Sequence, residues 1–159
     1  WDPLCGKIDA GTYLKNTTQK VQNILLSVNP NYEMYIWNDM FDPHHNAVDF
    51  YWLSNGSLHG AWEGLNSKTT VMNWNPLGGT HQIDSLKFFS DRGLKQMLAL
   101  YYDDPSMAST KMWLDHLSAA EVNGVTGVEG FMFTTWHGNY DDLEKTANYI
   151  KTNYPQYWK

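Results

Sequence analysis

Four short runs of apolar, β-favouring residues separated by longer connections predict an α/β fold, with four parallel strands joined by crossover helices. Three observations carry that expectation. The runs at residues 33–41, 69–75, 95–102 and 128–136 recur about every thirty residues, the spacing of a strand plus a returning connection. Most are followed by apolar residues at helical spacing. Each ends abruptly in indole, phenol, carboxylate or imidazole groups, as strands do at the carboxyl edge of an α/β sheet.

The chain begins with Pro and Gly residues that show no periodicity, so residues 1–16 read as an irregular lead-in. Over residues 17–28, Val21, Ile24, Leu25 and Val28 form one apolar stripe, and Asn29-Pro30-Asn31 ends the helix. The first strand, residues 33–41, is apolar or aromatic at nearly every position, which predicts burial on both faces. Pro43 stops its ladder. A hairpin-like excursion around Asn55-Gly56 replaces a crossover helix before the second strand at 69–75. Residues 84–91 form a short helix with Leu86 and Phe89 inward and Gly93 closing it. The third strand, 95–102, leads into a helix over 106–120 with Trp113, Leu114 and Leu117 on one face. The fourth, 128–136, leads into a last helix in which Asp141 and Glu144 have capping-box spacing and Leu143, Ala147 and Ile150 form the buried stripe. Residues 1–159 make one domain, with βα units from residue 17 and no low-complexity linker.

The 159 residues can bury a real core but are too few for a complete eight-fold barrel, which needs about 250. The net charge is −6 and the eleven Lys and Arg residues form no run, so a nucleic-acid partner is not expected. No apolar run approaches membrane-spanning length, so no membrane partner is expected either. Cys5 is the sole cysteine, which excludes an intrachain disulfide and says little about compartment. The chain starts at Trp1 without a signal-peptide pattern and reads as a processed or trimmed piece of something longer. Aromatics make up 15% of the residues, with eight Trp and ten Tyr, more than a core of this size needs. Flat apolar faces with polar tips are what sugar rings stack on.

Parallel strands gather their carboxyl ends at one edge, so Trp37, Asp39, Trp74, Tyr101, Asp103 and Trp136 are expected to converge. Together they suit a pyranoside, with indoles for its CH faces and carboxylates for its hydroxyls. Asp42, His44 and His137 are candidate loop contacts around that rim. Adjacent Asp103 and Asp104 point to opposite faces on an extended strand, which weakens them as a catalytic pair. A metal reading would draw on His44 and His45 with Asp39 and Asp42, but the spacing matches no established metal motif, and neither metal nor cofactor is expected.

The stretches Trp37-Asn38-Asp39-Met40-Phe41-Asp42-Pro43-His44-His45-Asn46-Ala47, Trp74-Asn75, Tyr101-Tyr102-Asp103 and Gly130-Phe131-Met132-Phe133-Thr134-Thr135-Trp136 carry a resemblance. In this order they resemble the last four strands of family 20 glycoside hydrolase-like (β/α) barrels, the β-N-acetylhexosaminidase group, from about Met34 to Leu143. The resemblance implies that Trp37 and Trp74 wall the pocket for a substrate acetamido group. It also implies that Tyr101 and Asp103 fix the acetamido oxygen and nitrogen, and that Trp136 stacks under the sugar. Where the family often has a Glu two positions after that Trp, this chain has Gly138.

A larger departure concerns mechanism. The family uses substrate-assisted retention, with a Glu as general acid and an adjacent Asp orienting the acetamide, both at the end of the fourth strand. That strand would precede Trp1, and no Asp-Glu dipeptide occurs in the chain. The resemblance therefore implies a carboxyl-terminal half barrel with a carbohydrate-binding rim and no catalytic residues of its own. The alternatives are a non-catalytic carbohydrate-binding or interaction module, or a metal-assisted hydrolase using the His44 region. Four strands of a barrel leave two open edges, which calls for closure by a homodimer or a separate amino-terminal half, unless the sheet flattens into an open layer.

Overall fold

The computed structural model describes residues 8–51, 56–77, 79–101, 103–138 and 140–158. Cys5, Asn55, Gly78, Tyr102 and Asn139 lie outside them. Four strands form one parallel sheet: β1 (Met34–Trp37), β2 (Thr69–Asn73), β3 (Lys95–Tyr101) and β4 (Val128–Thr134). Their spatial order is their chain order, β1-β2-β3-β4. With right-handed crossovers, that order puts every connection on the same face of the sheet. The α/β class, the four parallel strands and the crossover helices are thus as the sequence predicts.

The helices are α1 (Ala10–Val28), α2 (His81–Ser90), α3 (Ala108–Val122) and α4 (Leu143–Asn153), with single 3-10 turns at Asp39–Phe41, Ala61–Gly64 and Pro155–Tyr157. Between β1 and β2 the described residues hold no α-helix. Asp49 instead bridges antiparallel to Ser57, and the Phe50 N–H donates to the Gly56 carbonyl at 2.8 Å. The tip of this excursion lies outside the described residues.

One face of the sheet carries the core. Leu98 and Leu100 of β3 pack with Leu86 of α2, with Trp113, Leu114 and Leu117 of α3 and with Ile150 of α4; Phe131 and Phe133 of β4 join them half-buried. A smaller cluster of Phe41, Ala47, Ala61 and Trp62 gathers Leu14 of α1 and Ile36 of β1. The opposite face carries Tyr35, Trp37, Met72, Met97, Tyr101 and Met132. Its strand register aligns Trp37 with Met72, Met72 with Met97 and Met97 with Gly130, so a row of large side chains crosses β1, β2 and β3 and ends at a glycine on β4. Tyr35, Trp37 and Tyr101 on this face remain exposed.

Several boundaries differ from the sequence expectation. Residues 10–16, expected to be irregular, are helical, because Asp9 accepts the Thr12 N–H at 2.8 Å and caps a helix that starts there. The apolar stripe expected to face the core does not. Gly11, Thr18 and Gln22 are the buried side of α1, while Val21, Ile24 and Val28 are 44%, 55% and 80% exposed. β1 is four residues long and alternates half-buried with exposed, rather than buried on both faces. It is an edge strand, and Asn38 leaves the extended region at φ −70°, ψ −31°. The α4 cap falls on Asp142, one residue beyond the expected capping box. The Asp142 carbonyl accepts both the N–H and the hydroxyl of Thr146.

Candidate functional site

Because the strands are parallel, their chemistry-bearing ends share the carboxyl edge, and two hydrogen-bonded staples organise that edge. The first joins β1 to β2. Asn38, fully buried one residue past β1, donates from Nδ2 to Asp42 Oδ2 at 2.7 Å and accepts the Trp74 N–H at 3.0 Å. The other Asp42 oxygen accepts the His44 N–H at 2.8 Å. Asp42 is buried and committed to the shape of its loop. Asn75 extends the staple, donating to the His44 carbonyl and to Ser85 Oγ of α2. Five backbone-to-side-chain and side-chain hydrogen bonds thus fix where Trp74 leaves the sheet.

The second staple joins β3 to β4 through one carboxylate. Asp103 accepts the Thr135 hydroxyl at 2.8 Å, the Trp136 N–H at 2.7 Å and the His137 N–H at 3.3 Å. Desolvation pushes its pKa up, but the hydrogen bonds from Trp136, Thr135 and His137 outweigh that, and the carboxyl sits below the ordinary range. The neighbouring Asp104 turns the other way and holds the start of α3, accepting the N–H groups of Ser106, Ala108 and Ser109 and the Ser106 hydroxyl. Those bonds, the Ser106 hydroxyl first, lower its pKa as well. Two adjacent carboxylates therefore do unrelated work, and neither holds a proton to donate near neutral pH.

Between the staples lies an open aromatic cleft of about 590 Å³. Trp37 enters it from β1, while Met132, Phe133, Thr134, Thr135, Trp136, Tyr140 and Leu143 enter from β4 and the turn into α4. Trp37 and Trp136 come from opposite edges of the sheet yet share this one cleft. Its aromatic walls are unusually open, with Trp37 39%, Tyr140 68% and Trp136 73% exposed. The walls are aromatic and the floor is methionine and threonine. That arrangement offers stacking faces and a few hydroxyl and backbone partners, without a group poised for proton transfer.

The remaining sequence candidates lie outside the cleft lining. Tyr101 ends β3 on the same face, in register with Thr134. Trp74 packs edge-on against His45, ring centroids 4.7 Å apart. Asp39 begins the 3-10 turn after β1, and its carboxylate bears on His45. His137 is exposed in the turn that Asp103 holds. His44 turns to Phe88 of α2 and shares a separate small cavity with Asp84, Lys87 and Arg92. With Asp42 buried in its own loop and His44 turned to α2, the metal reading loses its ligand set. Among the described residues no group of three or more His, Cys, Asp or Glu side chains is placed to hold a metal ion.

Two contributors to the cleft were not expected there from the sequence. Tyr140 and Leu143 line the cleft from beyond β4, and Leu143, expected in the buried stripe of α4, is exposed there instead. His45, weighed from the sequence only as a metal ligand, has its Nδ1 buried with no hydrogen-bond partner. Burial lowers its pKa, against the opposing pull of the Asp42 and Asp39 carboxylates. The dense Asn and His content between residues 38 and 46 was the available signal for a built loop there. Compared with protein families, curated proteins and solved structures, the chain finds no match in any of the three.

Proposed function

We propose that this chain is a carbohydrate-binding half of a (β/α) barrel resembling the family 20 glycoside hydrolases, with an N-acetylhexosamine as its ligand and no turnover of its own. The observation that carries the reading is the aromatic cleft at the carboxyl edge, where Trp37 from the first strand and Trp136 beyond the last face a common space. A cleft of that size accommodates one or two pyranose rings. Sequential parallel order and a sheet face without helices are what half of such a barrel requires. Trp136 supplies the stacking platform, and Asp103 positions it through the backbone. The carboxylates at the rim support the absence of turnover: hydrolysis needs an acid with a raised pKa, and Asp103 and Asp104 are shifted the other way.

Titration calorimetry with N-acetylglucosamine tests binding. At about 0.3 kcal/mol per non-hydrogen atom, a monosaccharide binds in roughly the millimolar range. Trp136→Ala is expected to weaken that about tenfold, the worth of one ring-stacking partner. Glucose, which lacks the acetamide, is expected to bind more weakly than N-acetylglucosamine. No heat at about ten times the expected dissociation constant removes the carbohydrate reading. Release of chromophore from an N-acetylhexosaminide by the purified chain contradicts the absence of turnover.

A further inference from the structure

The apolar stripe of α1 lies on the surface, and its position says what it meets. Tyr13, Val21, Ile24 and Val28 fall at i, i+8, i+11 and i+15, on one helical face. All four are exposed. The opposite side of α1 meets the β1–β2 connection: Gly11 lies against Leu58 and His59, Lys15 against Gly64, and the Gln19 side chain donates to the Glu63 carbonyl. The stripe therefore points away from the domain, on the helix that leads directly into β1, the first edge of the sheet. α1 runs down to Asn29 just before β1 begins, so Val28 lies at the amino end of the strands and Ile24 one turn above it.

At the other edge of the sheet a cleft of about 480 Å³ opens beside the amino end of β4. Leu117 and Glu121 of α3, Val128 and Phe131 of β4, and Tyr157 and Trp158 line it. Trp158 tilts over Phe131 with ring centroids 6.4 Å apart. The two features are at the same height along the strands and on the two opposite open edges. They are also complementary in charge. Lys20 lies on the stripe side of α1, which carries no carboxylate within its span, whereas the cleft carries Glu121, with Glu129 beside it already paired to Lys95.

We propose that the occupant of each edge is a second copy of this chain. The α1 stripe of each protomer seats in the β4 cleft of its partner, so that β1 of one lies beside β4 of the other at two identical seams. This rests on the half-barrel reading and names the partner that completes its ring. A contact between unlike surfaces closes at two copies only when each copy spans half a turn, which a four-stranded half of an eight-stranded barrel does.

Sedimentation equilibrium on the full chain tests this. A dimer is expected at micromolar concentration, and Ile24→Glu is expected to raise its dissociation constant at least about a hundredfold, because each seam would bury a carboxylate. Lys20→Glu and Glu121→Lys are each expected to weaken self-association. The two single variants mixed together are expected to dimerise as the wild type does, since one seam then holds the reversed charge pair and the other the native pair. Circular dichroism of each variant separates lost association from lost folding. A wild-type monomer at tens of micromolar overturns the proposal, as does a dimer indifferent to Ile24→Glu. In either case the N-acetylglucosamine titration still reports on the rim separately.

Discussion

His45 is the residue whose environment departs furthest from what its neighbours in sequence suggest. Its ring packs on Trp74 and its Nδ1 is buried without a partner, so the fold favours the neutral imidazole, and its pKa falls below the usual 6.5. A histidine whose folded pKa is depressed binds protons more readily when unfolded. The stability it contributes is present above about pH 6.5 and is lost as the pH falls through the lower folded value. The urea midpoint of the wild type is therefore expected to fall between about pH 7 and pH 5 more steeply than that of His45→Gln. Parallel slopes for the two proteins contradict that account. Asp103 and Asp104 teach a related point. Sequence alone placed them side by side at a strand end and could say only that they face opposite ways. Which one braces β4 and which one starts α3 depends on Thr135, Trp136 and Ala108, none of which is adjacent.

At the scale of elements, the strands were legible because apolar runs at a regular interval leave few alternatives. Their exits were not, because Asn38 ends β1 through hydrogen bonds to Asp42 and Trp74, the latter thirty-six positions away. α1 shows the opposite failure. Its periodicity gave one apolar stripe, and most of that stripe is left outside while Gly11, Thr18 and Gln22 are buried. Close approach chose the buried side. A Cβ on Gly11 would lie 2.4 Å from the His59 carbonyl oxygen, and one on Gly64 would lie 2.8 Å from the Lys15 carbonyl oxygen, so two glycines let helix and connection touch backbone to backbone. Helix propensity alone would make Gly11→Ala stabilising by roughly 0.5–1 kcal/mol. The steric term wins here, because the obstructing atoms are backbone, and Gly11→Ala is expected to cost about 2 kcal/mol. For a domain of this length that is a fall of roughly 4–8 °C in Tm, readable by calorimetry. An unchanged or raised Tm would mean that α1 does not seat against the Leu58–His59 backbone.

For the whole molecule the question is whether four strands, one core and an uncovered sheet face are stable by themselves. The core beneath α2, α3 and α4 is continuous and closes around Leu98, Leu100 and Leu114 without help from outside. The opposite face is different. Tyr35, Trp37 and Tyr101 stay in water, and among the described residues no second layer of helices covers the row from Trp37 through Met72 and Met97. If a second copy closes the ring and shields that face with its own strands, part of the stability belongs to association and must follow mass action. Raising the protein concentration a hundredfold then adds about 2.7 kcal/mol per dimer to the free energy of unfolding. With the denaturant sensitivity usual for two chains of this size, the urea midpoint is expected to rise by roughly half a molar unit between about 1 and 100 µM. Ile24→Glu is expected to flatten that dependence while leaving the core transition cooperative, because its side chain belongs to the seam and touches none of the buried cluster. A wild-type midpoint that does not move with concentration would mean that the exposed face costs the monomer nothing it cannot meet alone, and the second copy would then have no energetic role.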